Sequence, residues 1–173
     1  ALGSFANSPH NRKKIVSAYK YVVKKAIEVD ESPDILRKTD APYKDYILFD
    51  NVNEIFYRIG DDGLNLIRDI YENLNDILSV DPNYMHQRAK CYLRSAFRVQ
   101  ELSSKSGFLL KAKQDINISE QIFQLRYSES KNEKLLITLA HVNFTQAILL
   151  CYICQLSEYR NIQENDDAIS RVH

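Results

Sequence analysis

The chain has 173 residues, enough for one domain of ordinary size, and 45% of them are hydrophobic, enough to bury a core. Lys plus Arg and Asp plus Glu both number 23, so the zero formal charge gives no global attraction to nucleic acid or to an anionic membrane. Four Gly, four Pro and no Trp supply too few turn formers for many short strands and favour a mostly helical chain. Three cysteines do not make a disulfide framework, and a reducing, cytoplasmic setting is expected.

In chain order, Ser8 and Pro9 suit the cap and first turn of a helix over about residues 9–29. Ile15, Ala18, Tyr19, Val22, Val23 and Ala26 form its apolar stripe. Its other face carries Arg12, Lys13, Lys14, Lys20, Lys24 and Lys25, with no acid before Glu28. This basic helix and the linker to residue 42 are read as an N-terminal unit. Pro42 opens a second run with Leu48, Val52, Ile55, Phe56 and Ile59 at helical spacing.

Gly60, Asp61, Asp62 and Gly63 predict a turn in which Gly ends one helix and Asp caps the next. Leu64, Ile67, Ile70, Tyr71, Leu74, Ile77 and Leu78 give the cleanest apolar stripe. Asp81 and Pro82 open another helix, with Met85, Ala89, Tyr92, Leu93, Ala96 and Phe97 on one side. Ser103, Ser104, Ser106 and Gly107 read as a turn, followed by a helix to about Tyr127 in which Ile116, Asn117 and Ile118 alternate like a strand. From Leu135 to Leu156 the chain carries no charge and is apolar nearly all round, so it is expected to be a central helix buried on several faces. Its length also suits a membrane span. Thr138, His141, Asn143, Thr145, Gln146 and Gln155 argue against that, since polar groups in lipid are expensive, and no membrane partner is expected.

These elements pair into helix hairpins at about 44–79 and 82–127 and a third from about 132. The fold expected is all-α: consecutive antiparallel hairpins stacked as a short α-solenoid over residues 43–157, with 158–173 a tail or the start of a further helix. Asp81-Pro82-Asn83-Tyr84, followed by Ala89, Tyr92 and Leu93, resembles the passage between tetratricopeptide repeats, and Gly107-Phe108 with Ala112 is similar to that family's second helix. His86 to Leu93 and Leu139 to Ala147 resemble divergent repeats that follow the nucleotide-binding engine of bacterial STAND-type signalling ATPases. The resemblance implies a ligand-sensing or scaffolding module of a larger signalling or defence protein, with any catalytic domain elsewhere in a longer chain.

No motif for chemistry is present. Gly3, Gly60, Gly63 and Gly107 form neither a P-loop nor a dinucleotide fingerprint, and His10, His86, His141 and His173 fit neither zinc-protease nor di-iron spacing. The Arg and His pair of HEPN-type helical nucleases is missing as well. No enzyme activity, cofactor or metal is therefore expected. Cys151 and Cys154 form a Cys-x-x-Cys deep inside a helix and are expected to be buried small apolar residues; the zinc alternative would need Cys91 and His141. His141 itself is expected to be a core histidine bonded to a neighbouring helix.

Charge is segregated along the chain: residues 43–81 hold three bases and nine acids, and residues 82–114 seven bases and one acid. Lys90, Arg94 and Arg98 recur every four residues and form a stripe with Arg88 nearby. Facing solvent or the acidic hairpin before it is the reading preferred for the stripe; contact with phosphate is the alternative. Tyr84, with Tyr21, Tyr57, Tyr152 and Tyr159, sits where a helix can show a ring at a surface. Arg88, Lys90, Arg94, Arg98 and Tyr84 are thus the candidate contact residues for a protein or peptide partner. Nucleic acid, held by the basic N-terminal helix and the stripe, is the alternative partner.

Overall fold

The computed structural model describes residues 8–30, 60–79 and 81–170, with side-chain surroundings for 8–25, 60–79 and 81–157. The expected run from Leu48 to Ile59, and Tyr57 with it, lies outside the described residues. Among the described residues five helices follow one another: α1 (Pro9–Asp30), α2 (Asp61–Leu78), α3 (Pro82–Arg98), α4 (Leu102–Ser130) and α5 (Glu133–Ser170). The fold is all-α, with adjacent helices packed on each other as in a helical repeat.

Turn chemistry fixes the order of the stack. Gly60 lies at φ 87 and ψ −147, a region open essentially to glycine, and it is Gly60 rather than an Asp that occupies the N-cap of α2. Asp61 and Asp62 instead sit in the first turn, where negative charge suits the helix dipole. At α3 the expected cap is present: the Asp81 carboxylate accepts from the backbone N–H of Asn83 at 2.8 Å and of Tyr84 at 3.0 Å, with Pro82 in the first turn. Between α3 and α4 the break falls at Val99–Glu101, four residues before the expected turn. The serines are in the first turn of α4, where Ser103 and Ser104 donate their hydroxyls to the Glu101 carboxylate, and Gly107 and residues 116–118 are helical. Lys131, at φ 52, closes α4 in the left-handed cap conformation.

Contacts between helices give their directions. Arg88 meets Asp115, and Ser119 donates to the Pro82 carbonyl at 2.8 Å, so α3 and α4 are antiparallel. Arg98 lies 3.5 Å from Asp61 and Tyr84 donates to the Tyr71 carbonyl at 2.5 Å, so α2 and α3 are also antiparallel. His86 meets Thr145 and Phe97 meets Tyr152, so α5 runs parallel to α3. Arg12 pairs with Asp69 and Lys20 with Asp76, so α1 runs parallel to α2.

Two apolar cores share α3. The first joins Val16 and Val23 of α1 to Leu66, Ile67, Tyr71 and Leu74 of α2 and to Tyr84, Met85 and Cys91 of α3. The second joins Ala89, Tyr92, Leu93 and Ala96 of α3 to Leu109, Ala112, Ile116 and Phe123 of α4 and Leu139, Val142 and Leu149 of α5. The stripe expected on α2 is buried except at Ile77, which is half-buried, and Leu66 extends it because α2 is covered by α1 on one side and α3 on the other. On α1 the buried face is rotated from the expected stripe: Val16 is buried, whereas Ala18 and Val22 are exposed. That rotation turns Arg12 and Lys20 toward the acids of α2.

The helix from Leu135 to Leu156 departs most from expectation. Among the described residues one side of α5 is covered, through Leu139, Val142, Thr145 and Leu149, while Leu136, Ile137, Phe144 and Leu150 are exposed large apolar residues. A helix at the outside of a stack has neighbours on one side, and composition alone does not reveal that position. Nor is there a break near residue 158, because α5 continues unbroken to Ser170.

Candidate functional site

The candidate contact residues on α3 separate into buried and open groups. Tyr84 is fully buried, a correction to its expected place at a surface. Its ring tilts against Tyr71 at 5.7 Å, and burial raises the pKa of its phenol, which stays protonated and donates to the Tyr71 carbonyl. Arg88 is likewise committed inside the protein. It donates from Nε and Nη2 to the two Asp115 oxygens at 2.7 Å each, and from Nη1 to Asn75 at 2.5 Å and the Tyr84 hydroxyl at 3.1 Å. Burial is the largest single influence and disfavours its charge, but the Asp115 hydrogen bonds together with the electrostatics of Asp115, Tyr84 and Tyr92 outweigh it and raise the pKa. Tyr84 and Arg88 therefore hold α2, α3 and α4 together and do not face a partner.

Lys90, Arg94 and Arg98 are more accessible. Lys90 is half-buried and donates to Gln87 at 3.4 Å, whereas Arg94 and Arg98 are exposed. The last two, with Gly60, Asp61, Leu64 and Phe97, line a shallow pocket of about 290 Å³. Arg98 thus meets the acidic helix before it, in the arrangement preferred from sequence, through an exposed pair worth about 0 to 1 kcal/mol.

Beside that pocket, on the other side of Phe97, lies a larger groove of about 570 Å³ at the C-terminal end of α3. Ala96, Leu109 and Leu156 form its apolar floor, Phe97 and Tyr152 its aromatic wall, and Gln100, Lys105 and Gln155 its polar rim. The two rings meet edge-to-face at 4.1 Å, which fixes the wall between α3 and α5. The spacing of Phe97 places it on the packed side of its helix, but 44% of it is exposed. The groove draws on three helices, and no local sequence pattern marks it.

The titratable groups of the interior are occupied in packing. His86 is buried, with Nε2 2.9 Å from Thr145 Oγ1, and burial, Lys90 and His141 hold its pKa down at about 4. Burial pushes the Cys91 thiol up to about 12, so it is not a reactive thiolate. Cys151 and Cys154 are exposed, contrary to the buried position expected, and so is His141. All three belong to the open side of α5, away from Cys91 in the first core. Among the described residues no group of three or more His, Cys, Asp or Glu side chains is gathered to hold a metal ion.

The basic face of α1 divides in two. Arg12 and Lys20 bind the acids of α2, while Lys13, Lys14, Lys24 and Lys25 are exposed, with Lys25 5.9 Å from the ring centroid of the open Tyr21. Residues Glu133–Ser157 of α5 are long and apolar enough to cross a membrane, as is the core helix of many a soluble protein. No protein-family model matches the chain, and no curated protein or solved structure is significantly similar to it.

Proposed function

We propose that the chain is a non-catalytic helical-repeat module for protein interaction or ligand sensing, a working part of a larger signalling or defence protein of the STAND type. The groove bounded by Phe97, Tyr152 and Leu156 carries this reading. It offers what a peptide needs: an apolar floor for a side chain, an aromatic edge held rigid by its neighbour, and a rim of two amides and one ammonium for backbone and carboxylate groups. Lys105 gives the rim a positive charge and favours a peptide carrying an acidic residue next to an apolar one.

Selection from a displayed peptide library tests this. Peptides that bind the wild-type chain are expected to lose binding on Phe97→Ala and on Lys105→Glu and to keep it on Lys13→Glu. Failure to select any peptide, or binding indifferent to Phe97, would refute the groove as the site.

A second reading, nucleic-acid binding, is favoured by the four exposed lysines and Tyr21 on the open face of α1. It no longer includes Arg88, whose guanidinium is committed to Asp115. A salt titration separates the two, because phosphate contacts make affinity fall steeply with salt whereas an apolar peptide groove depends on salt weakly.

A further inference from the structure

The open side of α5 has a regular pattern that the groove does not use. Leu136, Ala140, Asn143, Ala147, Leu150 and Cys154 are all exposed and follow one another at intervals of 4, 3, 4, 3 and 4 residues. That is the 3.5-residue period of a helix-pairing seam. Ile137, Phe144 and Cys151 flank it at intervals of seven, and Ile137 and Phe144 are 59% and 68% exposed. No charged residue lies between Lys134 and Glu158.

We propose that this face binds a second copy of the same chain, with the two α5 helices antiparallel about a two-fold axis level with residue 145. In this register Leu136 lies opposite the partner's Cys154, Leu150 opposite the partner's Ala140, and Asn143 opposite the partner's Ala147. Every large seam residue meets a small one, so the pattern is complementary to its own reverse, as an isologous interface requires. Parallel pairing would set Leu136 and Leu150 against their own copies and leave gaps at Ala140 and Ala147. A bilayer would cover the same face but has no use for the alternation of sizes, and the opposite face of the helix is already packed on α3 and α4.

Size and charge agree with this occupant. The seam spans about 27 Å at 1.5 Å per residue. With its flanking residues it offers on the order of 500 Å² per copy, so the pair buries about 1,000 Å², where specific interfaces begin. A neutral face meets its copy without like-charge repulsion and without stripping water from an ion. Tyr152, Gln155 and Leu156 lie on a different side of α5, so the dimer leaves the peptide groove open.

Sedimentation equilibrium of the 173-residue chain is expected to show a reversible monomer–dimer equilibrium. Phe144→Glu, at an exposed position, is expected to shift it to monomer with unchanged helical circular dichroism. Leu136→Cys is expected to form a covalent dimer through the partner's Cys154 under mild oxidation, and to lose it when Cys154→Ser is added. The proposal is overturned if the wild-type chain stays monomeric at its highest soluble concentration or if Phe144→Glu dimerises as the wild type does. It is equally overturned if wild-type chains cross-link Cys154 to Cys154, the parallel product, or if they bind phosphatidylcholine vesicles while remaining monomeric.

Discussion

His86 on α3 and Thr145 on α5, 59 residues apart in sequence, meet at 2.9 Å in the buried interior. Thr145 has one hydroxyl proton and donates it to the His141 carbonyl at 3.0 Å. The Thr145 oxygen is therefore the acceptor and His86 Nε2–H the donor, and because the pKa is held down at about 4 the ring is neutral at pH 7 with its proton on Nε2. One hydrogen bond thus satisfies the buried Nε2–H and fixes the register between two helices that are not adjacent in sequence.

The pair makes stability depend on pH. The folded pKa of His86, about 4, lies below its ordinary 6.5, so the unfolded chain takes up the proton first as pH falls. Its contribution is fully present above about pH 6.5 and is lost progressively toward pH 4, by on the order of 3 kcal/mol. Urea denaturation at a series of pH values is expected to show this loss, and His86→Gln to flatten it. Thr145→Val removes the acceptor and leaves a buried donor, at a cost of about 1 to 3 kcal/mol at neutral pH.

Arg88 and Asp115 form another polar connection between helices, with the Asp115 side chain only 5% exposed. Asp115→Ala leaves a guanidinium buried among Tyr84 and Asn75 without its anion and is expected to cost about 3 to 5 kcal/mol. The double variant Arg88→Met with Asp115→Leu removes both charges and is expected to recover most of that loss. Thermal denaturation of the two proteins checks the contrast.

Two glycines are expected to respond in opposite directions to the same change. Gly60 stands at positive φ with open space around its α-carbon, so Gly60→Ala is penalised by backbone strain alone, about 1 to 3 kcal/mol. Gly107 is inside α4, also with open space, so Gly107→Ala is expected to stabilise by about 0.5 to 1 kcal/mol. Equilibrium unfolding of both variants tests this.

The three thiols are expected to label unequally. In dilute native protein Cys151 and Cys154 should react with a thiol reagent, and Cys91, shielded in the first core, only after unfolding. At concentrations that favour the dimer, Cys154 should slow. On the covered side of α5, Leu149→Ala opens a cavity and is expected to cost about 2 to 5 kcal/mol, while Phe144→Ala on the open side leaves monomer stability nearly unchanged. Mass-resolved labelling and denaturation curves read these outcomes.

The helices α2 and α3 were legible from sequence because local signals agreed there: the cap of Asp81 with Pro82, and apolar side chains at every turn from Leu64 to Leu78. The register of α4 was obscured because two of its buried positions, Asp115 and Ser119, are polar, and their partners, Arg88 and the Pro82 carbonyl, come from another helix. Tyr84 and Arg88 have the chemistry of contact residues and lost that role to contacts with Tyr71, Asn75 and Asp115, which adjacency in the chain does not announce. The composition of α5 determined that a helix forms and that it seeks apolar cover. Which side receives that cover from α3 and α4, and which is left for a partner, was decided by its place at the outside of the stack, because burial depends on neighbours in space and hydropathy records only the residue itself.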